Sequence, residues 1–308
     1  MPRTPARAQH PGPWWPAARA HALTAAVLYG HKVAPLTRSK LPAIASAHKD
    51  DIHSLCTGQC GTFGHGIHDA SSNPEQVKAM FAAAPWAAGY AIACGQAPHH
   101  LFGLDLDRKN GTDGIANFHA LTARHGFALP PTAAVTTQSG GLHVWLTAPD
   151  RFVVPNTAGL LAPGVDTRGT GGYLVGPGSA GTLGRYAFAP GTDPRTIAPA
   201  PAELLALLTA RHDTTGAPHG QDAGRPAAGP RRRLDGLVRT VREAPGGERN
   251  NRLYWAARTA LAAGIDPATA LGELTDAARE TGLDEEEIQH VFRNAGKGAA
   301  RDRAGVRG

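Results

Sequence analysis

The sequence predicts an α+β fold in which a mainly antiparallel sheet is followed by a separate group of helices. Three observations predict it. Short apolar runs of strand period are joined by glycine turns; helical periodicities are mixed among these hairpins instead of alternating with single strands; and every signal after a Pro- and Gly-rich break is helical.

Residues 17–29 are Ala-rich, carry Leu23, Val27 and Leu28, and end at Gly30, a residue suited to a left-handed helix cap. A short strand, Val33 to Leu36, should follow. Asn73 and Pro74 open a second helix, with Glu75 and Gln76 in its first turn and Val77, Met80, Phe81 and Ala84 at helical spacing. Strands are expected at 89–94 and 101–107, a helix at 113–125, and strands at 133–138 and 142–147 joined through Gly140 and Gly141. Two more strands, 164–168 and 172–176, flank the turn Gly169, Gly171 and Gly172, and a helix from Pro201 through Leu208 closes this part.

Residues 212–230 hold Thr214, Thr215, Gly216, Pro218, Gly220, Gly224, Pro226, Gly229 and Pro230 with hardly an apolar anchor, the composition of a flexible linker. Beyond it, 248–263 places Leu253, Ala257, Ala260 and Leu261 on one face. Asp266 with Pro267, and Asp284 with Glu287, start two further helices. The division expected is a first domain at 1–211, a linker at 212–233, a three-helix domain at 234–296 and a disordered basic tail at 297–308 with Lys297, Arg301, Arg303 and Arg307.

In 308 residues, 31 Lys and Arg face 25 Asp and Glu, so the net charge of +6 suits a polyanionic partner without requiring one. Three cysteines leave at least one thiol unpaired and argue against a disulfide-stapled secreted scaffold. The N-terminal stretch is broken by Pro11, Pro13 and Pro16, so no signal peptide is visible, and no run approaches the apolar length of a membrane span. A cytoplasmic location is the expectation.

In Phe102-Gly-Leu-Asp-Leu-Asp107, strand alternation puts Leu104 and Leu106 on one face and Asp105 and Asp107 on the other. Two carboxylates side by side raise each other's pKa unless a cation lies between them, and hard oxygen donors suit Mg²⁺ or Mn²⁺. Taken alone, the pair fits equally a turn cap and a solvated edge residue.

In Thr137-Gln-Ser-Gly-Gly-Leu-His143, a glycine turn joins two strands, and backbone amides near Ser139, Gly140 and Gly141 can approach a phosphate closely because no Cβ intervenes. His143 lies on the face opposite Leu142 and Val144, where it can donate to the same phosphate or simply point outward. In Gly164-Val-Asp-Thr-Arg-Gly-Thr-Gly-Gly-Tyr173, Asp166 and Arg168 share a strand face, as a third carboxylate with a phosphate clamp or as a surface ion pair. Lys40 is either a further phosphate contact or an exposed loop lysine.

In this order and spacing the three elements resemble the bifunctional DNA primase/polymerase family of the archaeo-eukaryotic primase superfamily. The flanks agree: Ala34-Pro-Leu36 with Lys40 and Pro42, His68-Asp-Ala70 with Asn73-Pro74, Pro131-Thr132 before the hairpin and Pro177 to Ser179 after the third motif. The likeness covers about residues 20–211. It implies an RRM-like catalytic sheet, metal-binding acids at Asp105, Asp107 and Asp166, and nucleotide contact at His143.

The implied activity is template-dependent transfer of nucleotides from NTP or dNTP to a 3′-hydroxyl by two-metal chemistry. Its partners would be a single-stranded DNA template and a separate helicase, in replication of a plasmid, phage or other mobile element. Gly247 to Trp255 resembles the start of the small helical domain that often follows, with Arg249, Asn250 and Arg252 as template contacts or a solvated helix face. The competing reading is a catalytically inactive single-strand-binding module of the same fold. Gly296-Lys297 lacks the preceding strand and glycine of a P-loop, and no nucleophile elbow or dinucleotide fingerprint occurs in the right context.

Residues 48–69 crowd His48, His53, Cys56, Cys60, His65 and His68 into a Gly-rich loop. Cys-x3-Cys-x4-His lies within structural zinc spacings, so Cys56, Cys60, His65 and His68 are the expected ligands for Zn²⁺, with His53 or His48 as substitutes for His68. The rival is a reduced, metal-free loop. Cys94 fits a buried strand position instead.

Overall fold

A computed structural model of the chain describes residues 10–48, 56–109, 111–150, 152–216, 230–244 and 249–305. The chain divides into two compact units, one of residues 1–47 and 57–219 and the other of residues 48–56 and 220–308.

The first unit opens with α1 (Trp15–Tyr29), which has Pro16 in its first turn and is closed by Gly30 at φ +69°, and continues into β1 (Val33–Leu36). A single 3-10 turn, Gly66–Asp69, precedes α2 (Pro74–Ala83), whose first amides are capped by the Asn73 side chain. Next come β2 (Gly89–Ala93), β3 (Leu101–Leu106), the two-residue strands β4 (Arg108–Lys109) and β5 (Thr112–Asp113), and α3 (Gly114–His125). Asp113 caps α3 through Ile115 N and Ala116 N, both at 3.1 Å. The remainder is β6 (Ala134–Thr136), β7 (Leu142–Thr147), β8 (Thr157–Ala162), β9 (Val165–Arg168), β10 (Tyr173–Val175), β11 (Ala187–Phe188), β12 (Ala198–Pro199) and α4 (Ala202–Gly216).

Two sheets result. The smaller runs β1-β2-β10, and the larger runs β11-β6-β7-β3-β9-β8 with β12 alongside β7. Every pairing is antiparallel except β12 with β7. Alternation along β3 divides the layers. Phe102, Leu104 and Leu106 pack in one core with Phe118 and Leu121 of α3 and Leu204 and Leu208 of α4. The opposite face, with Val135 and Trp145, packs in a second core with α1, α2 and the smaller sheet. Leu174 of β10 lies where a Cβ on Gly103 would stand, so the smaller sheet covers the Gly103 end of that face.

The expected order of elements up to α4 is observed, with mainly antiparallel sheets. The two-residue strands β4, β5, β11 and β12 are additional to that order, and so is the longer strand β8. Gly159 interrupts it at φ +61° and its pairing with β9 shifts register between Thr157 and Ala162, so a bulge erases the period-two pattern that sequence reading needs.

The described part of the second unit's chain from Pro230 onward forms α5 (Pro230–Arg242), α6 (Arg249–Ala262), α7 (Pro267–Glu280) and α8 (Glu285–Gly305) around Leu237, Leu253, Leu274 and Ile288. These are four helices where three were expected: α5 starts at Pro230, inside the expected linker, and Leu234, Leu237, Val238 and Val241 just beyond that linker give it a buried apolar face. Residues 217–229 of that linker lie outside the described residues, as does Arg307 of the expected tail. The tail's earlier residues continue α8 through Gly305, and Gly296-Lys297 sits within that helix, not in a phosphate-binding loop. Among the described residues no helix is long and apolar enough to cross a membrane.

Candidate functional site

Antiparallel register assembles the site. β3 lies between β7 and β9, and Asp105 stands opposite His143 on one side and Asp166 on the other. Three residues from distant parts of the chain thus share one row on one face. Asp107 follows on the same face, just past the end of β3. Its amide donates to Gly164 O and its carbonyl accepts from Gly114 N, both at 2.8 Å. Asp105, Asp107 and Asp166 each bring a carboxylate oxygen within 4.8 Å of the other two.

Basic side chains already crowd this row. Arg168 Nη2 is 2.9 Å from Asp105 Oδ2 and 3.2 Å from Asp166 Oδ2, and His143 Nε2 is 3.4 Å from Asp105 Oδ1. Lys109 Nζ donates to Asp107 Oδ2 at 2.5 Å. Burial alone would push the Asp105 carboxyl up, but the charges and hydrogen bonds of His143 and Arg168 outweigh it and hold the group well below the usual carboxylate range. Asp166 goes the other way: burial, with Asp105 and Asp107 adding, raises it against Arg168 and the amide of Gly159. On Lys109, burial is outweighed by its bond to Asp107 and the charges of all three aspartates, so its pKa rises.

Three converging carboxylates with only oxygen to offer form a donor set for a hard divalent ion such as Mg²⁺ or Mn²⁺. Arg168 and Lys109 supply positive charge to this row in the structure. His143 is 4% exposed and its Nδ1 has no hydrogen-bond partner among the described residues. A buried polar atom of that kind is a place for a ligand atom.

The glycine hairpin lies beside the row. Gly141 packs against Leu106 O at the end of β3, where a Cβ would come within 2.4 Å. Gly140, at φ +79°, spends its amide on Thr137 O within the turn, and Ser139 Oγ is 3.2 Å from Thr137 Oγ1. Lys40, at φ +68°, is exposed and gives its carbonyl to Tyr173 Oη at 2.8 Å; among the described residues no ion pair joins it to the aspartates. Arg168, expected as a phosphate clamp, is here engaged with two carboxylates.

Sequence reading missed four contributors. Lys109 continues the i, i+2 series of Asp105 and Asp107, a signal that was present. Tyr186 lays its ring 5.6 Å from that of His143, and burial, with Asp105 and Asp107 adding, pushes its hydroxyl up to about 12. The amide of Gly159, turned by the β8 bulge, donates to Asp166 Oδ1 at 2.9 Å. Gly114 seats Asp107, and no local pattern marks it or Gly159.

In the loop before α2, His48, Cys56, Cys60 and His65 each place a ligand atom within 4.8 Å of the other three. His48 stands where His68 was expected; His68 is exposed on the 3-10 turn, and His53 lies outside the described residues. Cys60 Sγ is 3.4 Å from His65 Nε2. His65 Nδ1 is 3.1 Å from Asp69 Oδ1, while Asp69 Oδ2 accepts from Gly64 N and His65 N at 2.7 and 2.8 Å. Asp69 thereby fixes the ring whose other nitrogen faces the cysteine. Cys94 is buried after β2, where burial pushes its thiol up to about 12.

Residues 22–203 match the family described as "Bifunctional DNA primase/polymerase, N-terminal". The match spans more than half of the chain and contains all three aspartates, His143, Arg168 and the hairpin. No curated protein matches the chain.

Proposed function

The chain belongs to the bifunctional DNA primase/polymerase family, a family of nucleotidyltransferases, and on that premise we propose that it is a template-dependent DNA primase/polymerase extending a 3′-hydroxyl from NTP or dNTP. The observation that carries the reading is the row formed by Asp105, His143 and Asp166 with Asp107 beside it.

Asp105, Asp107 and Asp166 would hold Mg²⁺ or Mn²⁺. When bound, these ions lower the pKa of the attacking hydroxyl and offset the charge that develops on the α-phosphate and leaving pyrophosphate. The remaining chemistry falls to the chain's own residues. His143 offers Nδ1 to a phosphate oxygen, Arg168 can share its guanidinium between carboxylates and phosphate, and the Ser139–Gly141 turn lies at the same end of β3. The low-lying Asp105 carboxyl stays ionised across the working pH range. We take the larger sheet as the RRM-like sheet that the family implies, since α3 and α4 pack on one face and the acids lie on the other. The helices from Pro230 onward would be a separate small domain.

We further propose that His48, Cys56, Cys60 and His65 bind structural zinc, since two thiols and two imidazoles within 4.8 Å are a soft-to-borderline set of the right number.

The test is incorporation of labelled nucleotide on a single-stranded template with Mg²⁺ or Mn²⁺, with and without primer. Products without primer indicate a primase, and products only with primer indicate a polymerase. Template binding with no incorporation under either condition would overturn the proposal.

A further inference from the structure

We propose that Lys109 is the exchangeable cation of the aspartate site: it neutralises Asp107 before metal binds, leaves when metal arrives, and then contacts the triphosphate of the incoming nucleotide. This rests on the polymerase reading of the same site and assigns a role to a residue outside its metal ligands.

The geometry separates two kinds of cation. Arg168 is held from β9 by two carboxylates at once, Asp105 at 2.9 Å and Asp166 at 3.2 Å, and its planar fork suits that fixed bridge. Among the described residues Lys109 has one ion-pair partner, Asp107 at 2.5 Å, and its side chain is 60% exposed. It extends from the short β4–β5 hairpin, beyond the body of the sheet.

An ammonium at that distance occupies Oδ2 of Asp107, one of the two oxygens that this carboxylate can offer a divalent ion, and the two positive charges repel. The ammonium on its flexible stem is the cation free to move, whereas Arg168 is tied to Asp105 and Asp166 together. Once displaced, Lys109 faces a site to which the nucleotide brings several negative oxygens. Its neighbour Arg108 provides a contrast: one residue along, alternation turns it away, and it pairs with Asp113 at 2.9 Å.

The experiment titrates Mn²⁺ into the full chain without nucleotide, following the free-ion electron paramagnetic resonance signal, for wild type, Lys109→Met, Arg108→Met and Asp107→Asn. Lys109→Met should bind Mn²⁺ roughly two- to fivefold tighter, the range expected for removing one exposed ion-pair competitor. Arg108→Met should change little. At saturating Mn²⁺, Lys109→Met should bind a non-hydrolysable nucleoside triphosphate analogue several-fold more weakly.

Unchanged or weaker Mn²⁺ binding by Lys109→Met, or an equal gain in Arg108→Met, overturns the exchange. Unchanged analogue binding overturns the move to the triphosphate. If Asp107→Asn binds Mn²⁺ as well as wild type, the metal-site reading itself falls, and the Lys109 proposal falls with it.

Discussion

Asp105 of β3 and Asp166 of β9 face each other as direct partners across an antiparallel pair, and Arg168 Nη2 binds a carboxylate oxygen of each. Charge at either position acts on the other, since Asp105 raises Asp166 and Arg168 lowers both. Replacing either by Asn keeps the shape and removes one anionic donor. Asp105→Asn and Asp166→Asn should each lower nucleotide incorporation by at least roughly a hundredfold. Circular dichroism and thermal melting would check that the fold survives, and a folded double variant that extends primers normally would sink the assignment.

Gly114 sits where the backbone of the candidate site leaves no room for a Cβ. A Cβ there would come within 2.1 Å of Gly164 O, the carbonyl that accepts the Asp107 amide. The neighbour is backbone, so Gly114→Ala must displace the β9 approach or the end of β3. The expected cost is about 1–3 kcal/mol of stability, with a drop in kcat from a displaced Asp107. Chemical denaturation and steady-state kinetics measure the two effects. An alanine variant with wild-type stability and kcat would show that the contact is not a constraint.

Much of this site was legible locally. Alternation in Leu104-Asp-Leu-Asp107 pairs two acids on one face, and Asn73 with Pro74 marks a helix start. What local pattern cannot carry is which strands become neighbours. Asp166 joins Asp105 through the β3–β9 register, a long-range pairing, and its orienting amide comes from the bulge at Gly159. The metal-loop ligands show the same limit. Spacing favoured His68, but the 3-10 turn leaves His68 exposed, and chain path brings His48 to the group instead. Lys109 is legible too, as the next position of the same alternation.

Tyr186 holds His143 through its ring. The two rings lie 5.6 Å apart with an interplanar angle of 37°, and His143 Nε2 faces Asp105 on the other side. Tyr186→Phe preserves the ring and should leave KM for nucleotide nearly unchanged. Tyr186→Ala frees the imidazole and should reduce kcat/KM roughly ten- to hundredfold. Comparable losses in both variants would point to the hydroxyl instead of the ring.

The Cys-His loop makes a prediction that does not depend on polymerase activity. Protein purified without a histidine tag should carry about one zinc per chain, as expected for a four-ligand site. Asp69→Asn weakens the acceptor that orients His65, and should lower zinc affinity by roughly ten- to a hundredfold against a competing chelator. Metal analysis that finds only traces of zinc in wild type would remove the proposal, and an unchanged Asp69→Asn affinity would remove the orienting role.

His31 links the core of the first unit to pH. It is 3% exposed, lies edge-on to Trp145 at 5.5 Å and beside His99 at 5.9 Å, and its Nε2 has no hydrogen-bond partner among the described residues. Burial, with the charge of His99 adding, lowers its pKa from 6.5 to about 4. Between those values the unfolded chain binds the proton and the folded chain does not. The contribution of a neutral His31 is therefore complete above about pH 6.5 and is lost progressively as pH falls towards 4. The loss is of order 3 kcal/mol, large against the usual stability of a domain. His31→Phe keeps an aromatic ring against Trp145 and removes the titration. Urea midpoints between pH 7 and pH 4 should fall less steeply in His31→Phe than in wild type, whereas parallel profiles would place the acid sensitivity elsewhere.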